Sequence, residues 1–344
     1  MEEKISFSVT TYEGFEDEVL HLRNRNRPDS KTREYMDWRY LGEKSSVPPL
    51  IFWARHANGL PVGMASLIAR PYWIDNHLRN VFALGDISLD HHVRGKYLGK
   101  KLIHFMNSYL YRELKQPAFV IPNTPINQIL KGSEWHRACP FFWYLWVLDP
   151  IAKLIPFLAE SKFCLAFKAG YRFLMLKWLG RFSQNSLKLI GIDYIDESFD
   201  DLWEAIPKKG VVIRDRSADS LCWRFENHPS TYFQIKKLTD GRKNLGYIIF
   251  TVDGDGLCRI VDLLVLKRYL IIPMITLFLR EQCKNKNISC IRIKLSSNHI
   301  YSESLKSIGF IRRQEKDIFQ FYLPSYKNAE KKYNWLITIA DKDT

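Results

Sequence analysis

The sequence predicts a mixed α/β protein, two copies of one sheet-and-helix unit in tandem, joined by a helical segment. Three observations carry that reading. The first is an ordered internal repeat. Trp38-Arg39-Tyr40 returns as Trp223-Arg224-Phe225, and Val62-Gly63-Met64-Ala65 returns as Leu245-Gly246-Tyr247-Ile248. Asp86-Ile87-Ser88-Leu89 returns as Asp262-Leu263-Leu264-Val265, and Asn123…Leu130-Lys131 as Asn298…Leu305-Lys306. Trp to Gly spans 25 residues and then 23, Asp to Asn 37 and then 36, and the last pair keeps an offset of 175. One match is chance, whereas a series in fixed order marks repetition. The second observation is a hairpin signal in the same place of each copy, Asn58-Gly59 and Asp240-Gly241. Strands joined by hairpins give a mixed sheet rather than a doubly wound parallel one. The third is size: 344 residues suit two units of roughly 150 residues.

Within the first unit, Ile5–Thr10 alternates as a strand and Phe15–Arg25 reads as a helix. Leu50–Arg55, Val62–Ala69 and Val81–Leu89 are β-branched and aromatic runs bounded by turn residues, hence strands. Lys100–Leu114 is the clearest helix, with Leu102, Ile103, Phe105, Met106, Tyr109, Leu110 and Leu114 on one stripe. Ala118–Ile121 is a short buried strand, Ile126–Lys131 begins a helix, and Phe141–Leu148 closes the unit as a strand. The expected organisation is therefore 1–148, a helical segment 149–186, a second unit 187–326, and a tail 327–344. The aromatic and basic segment at 141–182 packs across the units or lies on a membrane surface.

A net charge of +14 calls for an anionic partner. The densest basic clusters, Arg23–Arg27 and Asn328–Lys332, are short, and no zinc-finger spacing occurs, so nucleic acid is not expected. The six cysteines contain no Cys-x-x-Cys pair and the nearest two stand seven apart. No metal is expected, and free thiols in a cytoplasmic protein without a signal peptide are. No run reaches 18 uncharged apolar residues, so no transmembrane span is expected.

The turn Asp90–Gly99 joins a strand to a helix and carries two glycines with Arg94, Lys96, Lys100 and Lys101. Free N–H groups at a helix N-terminus suit a pyrophosphate. A Walker loop has four residues between its glycines and Ser or Thr after the Lys; here there are three, and Lys101 follows. Gly-x-Gly-x-x-Gly is absent.

Val93-Arg94-Gly95-Lys96-Tyr97-Leu98-Gly99 resembles the acyl-CoA pyrophosphate loop of the GNAT (GCN5-related) N-acyltransferase superfamily, Arg/Gln-x-x-Gly-x-Gly/Ala. Arg94 and Gly99 match its ends, and Tyr97 stands where the family usually has Gly. A later family landmark, Asn followed by Gly-Phe, fits Asn298, Gly309 and Phe310. In the first unit Asn123 fits, with Glu134 and Trp135 at the Gly-Phe places. The second loop, Leu266–Pro273, has no glycine, which implies that CoA binds the first unit alone and that the second encloses the acceptor.

The resemblance implies acyl-CoA contacts from Leu89, Val93, Arg94, Gly95, Lys96, Tyr97, Leu98, Gly99, Lys100, Asn123 and Asn127. It assigns catalysis to the Leu89 N–H, which polarises the thioester carbonyl, and to Asp86 as base. Asp262 repeats Asp86 in the unit without the loop, which offers a purely structural alternative. The family's usual Tyr acid falls at Leu130. Trp38-Arg39-Tyr40 resembles a motif of tandem sugar N-acyltransferases of surface-polysaccharide (O-antigen or capsule) biosynthesis. That implies transfer of an acetyl or 3-hydroxybutanoyl group to the amine of a dTDP- or UDP-linked amino-deoxy sugar. The expected acceptor residues are Arg25, Trp38, Arg39, Tyr40, Glu226 and His228, although Trp38 and Tyr40 equally suit a core. A tandem aminoacyltransferase of peptidoglycan assembly and a non-catalytic binding protein are the rival readings, and the oligomeric state, a homo-oligomer included, is left open.

Overall fold

Apolar runs too short for helices and covered on both faces make the strands at the centre of the molecule. In the computed structural model, residues 5–43, 45–74, 76–95, 97–122, 124–131, 134–149, 162–182, 186–322 and 334–342 are described. Ile5–Thr11 (β1), Leu50–His56 (β2), Pro61–Ile74 (β3) and His77–Leu89 (β4) form an antiparallel meander. Glu16–Asn26 (α1) and Arg33–Leu41 (α2) follow β1, and Thr32 caps α2 by accepting from the Tyr35 N–H. Leu98–Tyr109 (α3) crosses over to Ala118–Val120 (β5), which runs parallel to β4. Leu102, Ile103, Met106 and Leu110 of the predicted stripe are buried against the sheet. Thr124–Leu130 (α4) and His136–Val147 (β6) follow.

The described part of the next segment, Lys162–Leu179 (α5), is helical and is anchored by one cation. Arg172 donates to the carbonyls of Cys283 (3.0 Å), Asn285 (2.7 Å) and Ile288 (2.5 Å), where a later helix ends. A guanidinium suits that end of a helix dipole. Residues 150–161 and 183–185 of the expected segment lie outside the described residues.

Lys188–Ile192 (β7), Ser198–Ala205 (α6), Val211–Arg214 (β8) and Ala218–Leu221 (α7) come next. Gln234–Thr239 (β9), Asn244–Val252 (β10) and Leu257–Val265 (β11) form a second meander. Ile271–Lys284 (α8) leads to Cys290–Ser296 (β12), parallel to β11, then Ser302–Ser307 (α9) and Ile311–Tyr322 (β13).

These strands share one mixed sheet, in the order β1-β2-β3-β4-β5-β13-β6-β12-β11-β10-β9-β7, with β8 off this path against the far end of β3. At its centre two strands are exchanged. β6 leaves the first meander to pair with β12, while β13 returns to lie between β5 and β6. Gly63 faces Leu89 and Gly246 faces Val265 in the two registers. A Cβ at Gly63 would stand 2.5 Å from Leu89 Cδ2, and one at Gly246 would stand 2.6 Å from the Leu264 carbonyl.

The repeated tryptophans meet each other. Trp38 and Trp223 stack at 5.1 Å and 19°, and each indole N–H donates to the other's carbonyl, at 2.7 and 2.8 Å. Beside them Arg214 donates to Glu43 at 2.7 Å, an ion pair buried between the two parts of the chain.

The expected tail needs correcting. Residues 327–333 and 343–344 lie outside the described residues, but 334–342 are built into the core. Asn334–Trp335 (β14) pairs in parallel with β8, and Trp335 is fully buried. Thr338 bridges Leu295 and opens a capping box with Asp341. The apolar run Trp335–Ala340 supplies the burial, and its polar flanks disguise it. Several strands are also longer than expected, β3 reaching Ile74, β4 starting at His77 and β6 starting at His136, and α3 begins at Leu98 rather than Lys100.

Candidate active site

The site begins with a break in the β3–β4 ladder. Met64 faces Ser88 and Ser66 faces Gly85, so Ala65 opposes both Asp86 and Ile87. This is a β-bulge, and Asp86 takes the left-handed conformation within it, φ 44°. Such backbone strain in a non-glycine residue persists only where the surroundings enforce it. Beyond the bulge the Asp90 N–H donates to the Val62 carbonyl at 2.9 Å. Ladder alternation therefore turns the backbone groups of Leu89 to the opposite edge. There β5 pairs with β4 only at Phe82 and Ala83, so the two strands diverge and Leu89 faces the gap.

After β4, His91–Val93 forms a single 3-10 turn and Arg94 is extended. Gly95 has φ 80° and Tyr97 φ 59°, the latter as N-cap of α3. Position 97 is thus left-handed, which is the physical reason a glycine suits it. The Tyr97 ring is 70% exposed and leaves the backbone accessible. The first N–H groups of α3 lack acceptors within the helix, and the dipole favours an anion there. Gly99 permits close packing, because a Cβ would stand 3.1 Å from Ile129 and 3.2 Å from Leu89. Arg94 is exposed but tethered, donating to the Leu89 carbonyl at 2.9 Å and to Asn26 at 3.3 Å.

Two cavities open along this edge. The larger, about 740 Å³, runs from the turn to α4 and is lined by Leu89, Arg94, Gly95, Tyr97, Gly99 and Lys100 among others. The smaller, about 390 Å³, lies where β4 and β5 part, with Asp86 and Arg39 in its wall. Arg27, Asp29, Ile87 and Ile126 line both. The bulged edge of β4 is therefore the seam between them.

Asp86 is buried and already engaged. Its carboxylate accepts from Tyr40 Oη (2.9 Å), pairs with Arg39 (3.2 Å) and lies 3.5 Å from Arg23 Nε. Burial, followed by the Asp86 charge, pushes the Tyr40 hydroxyl well above its ordinary pKa. Asp262 stands in the same kind of nest, paired with Arg216 (2.8 Å) and bonded by Tyr247 (2.9 Å) and Thr338 (2.9 Å).

Several expected site residues lie elsewhere. Val93 and Leu98 are buried beneath the turn against Ala54 and Val62. Asn127 accepts from Gln320 of β13 at 2.6 Å and is absent from the walls of both cavities. Lys96 and Asn123 lie outside the described residues. Arg25 grips Asp90 with two hydrogen bonds, 2.9 and 2.7 Å, and thereby ties α1 to the turn. Trp38 is committed to Trp223, and Tyr40 stacks on Tyr12 at 4.3 Å and 8°. Glu226 accepts from the Ile195 N–H. His228 packs edge-on to Trp38 at 4.4 Å, and burial lowers its pKa to about 4, so it is neutral near pH 7. Of the six expected acceptor residues, Arg39 alone lines the smaller cavity. The residues missed were Asn26, Arg27, Ile87 and the α4 face. The basic cluster Arg23–Arg27, from which only Arg25 was expected at the site, was the signal for Asn26 and Arg27.

Among the described residues no group of three or more His, Cys, Asp or Glu side chains is placed to hold a metal. No described helix is long and apolar enough to cross a membrane. Cys139, Cys222, Cys258 and Cys283 carry free thiols, and burial pushes Cys139 and Cys258 up to about 12.

No protein-family model matches the sequence, and no curated protein matches it. Solved structures match by shape. A conserved protein of unknown function from Enterococcus faecalis V583, a probable N-acyltransferase, gives a TM-score of 0.67 at 10% identity, over 93% of this chain and 73% of that one. A GCN5-related N-acetyltransferase from Anabaena variabilis gives 0.64 at 14%, over 93% and 73%. The N-myristoyltransferase of Saccharomyces cerevisiae, solved with bound myristoyl-CoA, gives 0.55 at 11%, over 94% and 79%. At such identities the likeness speaks for architecture: this chain has the mixed α/β fold of the GCN5-related N-acetyltransferases.

Proposed function

We propose that the protein is an acyl-CoA-dependent N-acyltransferase with one reaction site, on the edge of β4. The observation that carries this reading is the divergence of β4 from β5 at Leu89, directly before a helix N-terminus whose N–H groups are open. In this reading the turn Arg94–Lys100 holds the CoA pyrophosphate, and the Leu89 N–H donates to the thioester carbonyl oxygen as it gains negative charge. A neutral amine then attacks the carbonyl carbon. The C–N bond forms, the C–S bond breaks, and the proton lost by the amine ends on the CoA thiol.

Asp86 is better read as a positioning residue than as the base. Its oxygens already serve Arg39, Tyr40 and Arg23, and a matching nest surrounds Asp262. The finer reading keeps a dTDP- or UDP-linked amino-deoxy sugar as acceptor and an acetyl or 3-hydroxybutanoyl donor. It also takes 1–148 and 187–326 as descendants of one duplicated unit, which the sequence repeat, the matched Gly registers and the reciprocal tryptophans support.

Calorimetry with acetyl-CoA, followed by thiol-release assays over nucleotide-linked amino sugars and peptide amines, tests the proposal. One CoA site per chain is expected, and Arg94→Ala should weaken it about tenfold or more, as loss of a charged hydrogen bond does. No CoA binding, or two equivalent sites, would overturn it. Turnover with a peptide or aminoacyl acceptor alone would replace the sugar reading with the peptidoglycan one.

A further inference from the structure

The aromatic and basic segment read from the sequence as packing across the units or lying on a membrane has a face for each role. The inner face of α5 ties the two parts of the chain together. Tyr171 donates to the Val147 carbonyl at 3.2 Å, Lys168 pairs with Asp149, and Arg172 is buried on the carbonyls where α8 ends. Met175, Trp178, Leu179 and Phe182 pack into the core beneath. The outer face is one stripe. Gly170, Phe173, Leu174 and Lys177 recur at helical spacing, Arg181 continues them in the turn that ends the helix, and all are exposed. Phe173 is 66% exposed and Leu174 60%, with Phe167 at the border of the stripe 47%. Scattered apolar side chains need no explanation, whereas a contiguous apolar ridge marks a docking surface. Between Ser161 and Ile192 the sequence holds Lys162, Lys168, Arg172, Lys177, Arg181 and Lys188, and no Asp or Glu.

We propose that the outer face of α5 docks on an anionic membrane surface, with the helix lying in the plane of the interface. Phe167, Phe173 and Leu174 enter the boundary between headgroups and acyl chains, while Lys177 and Arg181 meet the phosphates of the headgroups. Charge complementarity selects this occupant. A second copy in a two-fold contact would bring the same patch against itself, basic residues facing basic residues. A lipid surface supplies opposite charge and apolar depth together, and it yields to a convex ridge without needing a matching groove. The bonds of the inner face hold α5 against the sheet, so it lies on the surface rather than crossing the bilayer. The inference stands apart from the acyltransferase reading, and neither depends on the other.

The test is co-sedimentation of the full-length protein with vesicles of phosphatidylcholine alone and of its equimolar mixture with phosphatidylglycerol. The protein should partition into the mixed vesicles, less so as salt rises, and stay in solution with phosphatidylcholine alone. Phe173→Ser combined with Leu174→Ser should lower the partition coefficient about tenfold or more. Lys177→Gln and Arg181→Gln should each lower it about fivefold. All four side chains are exposed, and melting curves identify any variant that fails to fold. Lys209→Gln is the control, an exposed residue in the turn after α6, which packs on the face of the sheet opposite α5. Equal losses in Lys209→Gln and Lys177→Gln would assign the binding to net charge and overturn the proposal. So would equal partitioning into both kinds of vesicle, none into either, or no loss in the Phe173 and Leu174 double variant. A dimer in sedimentation velocity that the same double variant dissolves would overturn it too, and give the face to a second copy.

Discussion

Asp86 and Asp262 sit at corresponding places on β4 and β11, each held by an arginine and a tyrosine, yet their surroundings differ. Beside Asp86 lies a cavity of about 390 Å³, continuous in its walls with a larger one. Beside Asp262 the space is about 10 Å³. Two features make the difference. Both strands carry a bulge and part from their parallel neighbour ahead of the carboxylate, β4 after Ala83 and β11 after Ile260, but Asp86 is left-handed at its bulge and Asp262 is not. The chain's own C-terminal segment then fills the second edge, with Leu336 and Thr338 lining the remnant and Thr338 bonded to Asp262. On the proposed reading the shared carboxylate–arginine–tyrosine nest belongs to the scaffold. What distinguishes a reaction site is the room beside it.

That comparison is open to attack at its strongest point. Asp262→Ala should cost about 3–5 kcal/mol in chemical denaturation, since it leaves a buried arginine short of its partner. Asp86→Ala should cost a similar amount. An Asp86→Asn protein with full stability and no turnover would break the equivalence and restore Asp86 as the base. A smaller effect concerns the pseudo-symmetric contact. In a double-mutant cycle, Trp38→Ala and Trp223→Ala should show a coupling of about 1–3 kcal/mol, from a stacked pair and two reciprocal hydrogen bonds. Additive losses would mean the tryptophans act separately. The smallest effect sharpens the contrast between the two turns. Tyr97→Gly should raise stability by ~1 kcal/mol or less, because the left-handed strain relieved exceeds the entropy glycine adds to the unfolded chain. A lower melting temperature would show that the exposed ring is held by packing.

Much of this was legible in the residues. Periodicity located α3 and the meanders, and the repeated Trp, Gly and Asp positions anticipated places that match in register. The turn was legible because backbone demands at Gly95 and Gly99 leave a mark on sequence. The acceptor side was not. Trp38 and Tyr40 are chemically suited to bind a sugar, and only their partners reveal that Trp223, Tyr12 and Asp86 occupy them. Nor does spacing reveal that β6 and β13 change places, because strand exchange leaves each strand's own pattern intact. The place of Trp335 in the core lies beyond reach for a similar reason: local composition marks its segment as a tail.

The exchanged strands also bear on how the chain is made. β5 pairs with β13 at Val120 opposite Gln320, so its edge stays open until roughly 200 further residues have been synthesised. At about 5–20 residues per second that wait is roughly 10–40 s. During it the ribosome-bound chain exposes an unsatisfied apolar strand, a natural substrate for holding chaperones. Separately expressed fragments ending near residue 148 would lack β13 and offer that same edge to one another, so aggregation on truncation follows from the topology itself.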